Sequence, residues 1–144
     1  MSRIYPVEKL GNLDLQALYV KTNEWLDDID FLEAEMGFFK KIFKMYLYDA
    51  VPGFTVKIVQ VEKHLAQLEL SKHVIRAEVI NHREVLDLLI KNFITHEEEA
   101  LRQQHLKLEV RVNELNQSFR KFKNELFRLT EELIAKKDSG GHNR

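Results

Sequence analysis

The stretch 101-LRQQHLKLEVRVNELNQSFRKFKNELFRLTEEL-133 decides the fold. Leu101, His105, Leu108, Val112, Leu115, Phe119, Phe122, Leu126, Leu129 and Leu133 stand alternately four and three residues apart. A strand would repeat every second residue, so this spacing predicts a long helix with one buried stripe. Its repeat is the heptad of packed helical bundles, and its single polar member is His105.

Two more seams precede it. Leu15, Leu18, Thr22, Trp25, Ile29, Leu32, Met36, Phe39, Phe43 and Tyr46 form the first, which stops at 51-VPG-53, where Pro52 and Gly53 break a helix. Phe54, Ile58, Val61, Leu65, Leu68, Lys72, Ile75, Val79, His82, Leu86, Leu89 and Phe93 form the second. No Gly or Pro follows it, but Thr95 with Glu98 reads as a capping box, which sets a turn near 92-NFIT-95. The expected fold is therefore all-α: a long antiparallel three-helix bundle running up, down and up. Helices are expected at about 14–50, 54–92 and 95–137, between an irregular leader at 1–13 and a Gly-rich tail at 138–144.

The first helix carries more apolar surface than one seam needs. Phe31, Phe38 and Met45 repeat at heptad spacing, joined by Leu26, Ile42 and Leu47. Either the leader covers this second stripe, or it is a subunit interface that completes a larger bundle by dimerisation.

Composition narrows the function. The 144 residues carry 22 basic and 23 acidic side chains, a net charge of -1 without the basic stripe a nucleic-acid footprint requires. With no cysteine there is no thiol catalysis, thiolate metal site or disulfide. The first residues lack the apolar run of a signal peptide, and no stretch reads as a membrane span, so a cytoplasmic protein is expected. Gly-rich phosphate loops and nucleophile elbows are absent too, and no catalytic residue is assigned.

What chemistry remains lies where the seams turn polar. A hairpin turning near residues 93 and 94 pairs positions whose numbers sum to about 187, which sets His82 across from His105 and Glu78 level with Glu109. The turn at Pro52 and Gly53 brings Thr22 to the same level, with Asp28 about one turn from Glu78. The motifs 78-EVINH-82 and 105-HLKLE-109 keep each His and Glu on one helix face. Two imidazoles with Glu78, Glu109 and Asp28 would suit zinc, iron or manganese. The spacing is not the Glu-x-x-His of ferritin-like bundles. The competing reading is a structural polar layer, in which His82, His105 and Thr22 bond to one another and the glutamates pair with Arg76, Arg83 or Arg102. Acid-base catalysis is the third. Lys72 is expected to reach out of the core to Glu69 or Glu35, His64 and His73 to lie in solvent, and Trp25 to pack.

The phrases 25-WLDDIDFLEAEMGFF-39 and 102-RQQHLKLEVRVNELNQSFRKFKNELFRL-129 resemble a group of small bacterial all-helical proteins. The positions that carry the likeness are Trp25, Asp28, Glu35, His105 and Glu109, in the first and third helices. The resemblance implies a purpose for the His-Glu pair and brings no activity with it. Two functions stand as expectations. One is a non-enzymatic scaffold or interaction protein working through coiled-coil surfaces, with itself or another helical protein as partner. The other is a metal-binding bundle with its site between helices.

Overall fold

The computed structural model describes residues 12–47, 52–94 and 97–142, and among them every regular element is helical. Helix α1 spans Asn12–Ile42, α2 Thr55–Ile90 and α3 Glu98–His142. This is the all-α three-helix bundle read from the seams. Thr95, first member of the expected capping box, and leader residues 1–11 lie outside the described residues.

Local chemistry accounts for the helix ends. Gly53 takes a φ of 94°, which a side chain disfavours, and the Phe54 carbonyl accepts the first bond of α2 from Ile58 at 3.0 Å. At the far end of α2, Asn92 adopts a left-handed φ of 61°. The Asn92 amide donates to Leu89 at 3.1 Å, and the Phe93 amide donates to Leu88 at 2.9 Å. This is a Schellman stop, with asparagine in the place glycine commonly takes. Helix α3 opens at Glu98 and Glu99, whose charges favour its positive end. It continues through residues 138–142, past the end read from composition. Extending a helix adds a bond for each residue fixed, so weak formers can prolong a helix already nucleated.

Two compact units divide the chain, each containing a segment of every helix. One takes α1 up to Asp30, α2 from His73 and α3 up to Glu114. Here Arg76 pairs with Asp30 and Arg83 with Asn23, while Glu78 pairs with Arg111 and His82 with His105. As numbers rise on α2 they fall on both neighbours, the signature of antiparallel packing. Thr22, Trp25, Ile29, Val79, Leu86, Leu108 and Val112 line its interior.

The other unit takes α1 from Phe31, α2 up to Lys72 and α3 from Leu115. Its interior is aromatic: Phe39, Phe119 and Phe122 stand 5.7 to 6.1 Å apart between ring centres. Ion pairs Lys57–Glu132, His64–Glu125 and Lys40–Glu69 flank it. After Ile42 the first helix widens into a π-helical turn, Phe43–Leu47. That turn moves the buried phase by one residue, so Leu47 is buried at 6% exposure while Tyr46, the expected seam member, is 65% exposed.

Candidate functional site

The seams carry four buried polar side chains, Thr22, Lys72, His82 and His105. Three of them occupy the first unit, where His82 and His105 meet. His82 Nε2 lies 2.9 Å from His105 Nδ1, with one hydrogen shared between the two rings. The indole of Trp25 covers His105, with ring centres 4.6 Å apart and planes tilted by 31°. A heptad position on each helix, at levels fixed by the α2–α3 turn, is what brings the rings together.

Thr22 does not join the pair. Its hydroxyl donates to the Leu18 carbonyl one turn back at 2.7 Å, satisfying itself within α1. The flanking carboxylates also turn elsewhere. Glu78 is held by Arg111, two residues beyond the position the level rule matched to it, and Asp28 is exposed. Glu109 is half-buried and acts on His105 through its charge. Among the described residues no three His, Asp or Glu side chains gather around a point where one ion could sit. A metal at this level would find two imidazoles already bonded to each other. Recruiting Glu78 as a third ligand would mean releasing it from Arg111.

Burial favours the neutral form of His105. Burial lowers the His105 pKa from the ordinary 6.5, Glu109 works against that, and Lys21 adds to the lowering. The unfolded chain therefore takes up a proton at His105 more readily than the folded one. His105 contributes no pH dependence well above 6.5, where both states are neutral. Below it, stability is expected to fall until the folded-state value is passed. Melting temperatures recorded from pH 8 to pH 5 test this in the range where histidine titrates. A slope that survives unchanged in a His82→Leu/His105→Leu variant would assign the effect to other groups.

Lys72, in the second unit, reaches neither expected partner. Its ammonium meets Glu33 at 2.6 Å, while Glu69 pairs with Lys40 and Glu35 lies 3.6 Å from Lys123. Its side chain is 10% exposed and that of Glu33 56%, so the stem is buried and the charge leads outward. His64 forms an exposed pair with Glu125 at 2.9 Å, and His73 is exposed.

Apolar surface is the other feature that could serve a function. Phe31 and Phe38 on α1 and Met45 in the π-helical turn after it are 67%, 60% and 62% exposed, whereas Leu26 and Leu47 are buried. No helix among the described residues is long and apolar enough to cross a membrane. Compared with known proteins, the chain has no significant match to any family model, curated sequence or solved structure.

Proposed function

We propose that the protein is a non-enzymatic helical scaffold or interaction protein that self-associates through the exposed coiled-coil face of α1. The observation that carries this reading is the exposure of Phe31 and Phe38 one heptad apart on α1, with Met45 exposed in the π-helical turn that follows. A heptad stripe fits another helix, because only a helical partner returns side chains to one line at that interval. Scattered apolar residues need no explanation, but an aromatic line at a helical repeat favours association. The buried histidine layer fits the same reading, since polar layers in bundles set register.

Sedimentation of the full chain across a range of concentrations tests it. The wild-type protein should show a mass above that of one chain. A Phe31→Glu/Phe38→Glu variant should sediment as a monomer with unchanged helicity, both positions being exposed in one chain. A wild-type monomer at hundreds of micromolar would overturn the reading.

A further inference from the structure

We infer that α1 pairs antiparallel with α1 of a second copy of this chain, about a two-fold axis at Ala34. The inference rests on the self-association proposed above and supplies its geometry. Every residue on one line of α1 is exposed: Glu24, Asp27, Phe31, Ala34, Phe38 and Lys41. Along α1 the charges segregate. From Glu24 to Phe39 there are acids and no Lys or Arg, and then Lys40, Lys41 and Lys44 follow within five residues.

The flanking charges are already engaged within the chain: Asp30 with Arg76, Glu33 with Lys72, and Lys40 with Glu69. On the exposed line itself, Asp27 and Lys41 show no ion pair among the described residues. Among the described residues, Glu24 pairs with Lys21 on its own helix at 3.5 Å.

A parallel pair of these helices would set acid against acid and lysine against lysine. An antiparallel pair reverses that. Asp27 and Lys41 each stand seven residues from Ala34, about 10 Å along the axis. A two-fold axis at Ala34 therefore brings Asp27 of each copy level with Lys41 of the other. Phe31 and Phe38, at nearly equal distances on either side, come level with each other across the pair. Beyond them, Glu24 meets Lys44. Ala34, the smallest residue on the line, sits at the centre, where the two axes can approach. The surface is thus complementary to itself, as a two-fold interface must be.

The chain has no cysteine, so single introduced thiols report geometry without background. Under mild oxidation, Ala34→Cys should form a disulfide-linked dimer. Asp27→Cys and Lys41→Cys should each remain unlinked alone and should link when the two variants are mixed. Charge reversal gives a second readout. Asp27→Lys should weaken dimerisation about ten-fold, because each substitution alters two symmetric contacts. Adding Lys41→Asp to the same chain should restore affinity to within about three-fold.

Self-linking of Asp27→Cys would show a parallel pair and overturn the inference. So would a dimer in which Ala34→Cys stays reduced and the charge reversals do nothing, although self-association itself would then stand. A wild-type monomer would overturn both.

Discussion

Replacing Phe119 with alanine is expected to destabilise the fold by about 3–5 kcal/mol, among the largest effects of any single truncation. Phe119 is 1% exposed, is stacked on Phe122 at 5.9 Å and stands 6.1 Å from Phe39. The loss combines the transfer of a ring out of water with a void that three packed helical segments cannot close. A smaller part comes from Lys123, whose ammonium lies 5.1 Å from the centre of the same ring. Urea unfolding followed by circular dichroism measures the change. Phe127→Ala is the control: it lies on the same helix but is 59% exposed, and its removal should shift stability by no more than about 0.5 kcal/mol. A Phe119→Ala loss below about 1 kcal/mol would mean that the aromatic cluster can collapse around the void, against the rigid interior described above.

The second large effect is expected at the histidine layer, and there the double change should be milder than the single one. His105→Ala removes the ring against Trp25 and the buried hydrogen bond to His82, which is 3% exposed. A void and the loss of a buried hydrogen bond together should cost about 3–5 kcal/mol. Converting both histidines to leucine removes both ends of that bond and keeps most of the volume. That variant should stand within about 1 kcal/mol of wild type, or above it. The coupling from a full double-mutant cycle measures how far each ring depends on the other. Were the double leucine variant as damaged as His105→Ala, the contact between the rings would itself be a net stabilising term. If it folds with full stability but loses a single defined packing, the layer serves register and not strength.

The sequence resolved the interior of the bundle far better than its edges. Alternating intervals of three and four residues located the buried stripe of each helix, because burial along a helix is set by rotation about its axis. Counting outward from the α2–α3 turn brought His82 and His105 together, since a hairpin leaves little freedom in level. Exceptions fell where local geometry departs from a regular helix or where a side chain has several options. Leu47 replaced Tyr46 because a π-helical turn shifts the phase, and nothing in the heptad count announces that turn. The stop after α2 had a signal that went unused, namely an asparagine able to take positive φ.

The polar partners were less legible still. Thr22 had a backbone carbonyl within reach, a local option open to any buried threonine on a helix. Glu78 pairs with Arg111, further along α3 than the arginines expected for it on α2 and at the start of α3. Long charged side chains span about a turn in either direction, so a level rule accurate to one turn cannot choose among their partners. The same reach explains Lys72, which took Glu33 over its two expected acids.

The contact between His82 and His105 also has a spectroscopic consequence. An imidazole hydrogen in water exchanges too fast to give a resolved proton resonance, which is the expectation for exposed His73. The hydrogen between His82 Nε2 and His105 Nδ1 is bonded at both ends and shut away from solvent. It should appear as a sharp downfield line, with its nuclear Overhauser contacts running to the Trp25 ring. Such a line would follow the packing of the α2–α3 hairpin in solution from inside the protein, without any added label.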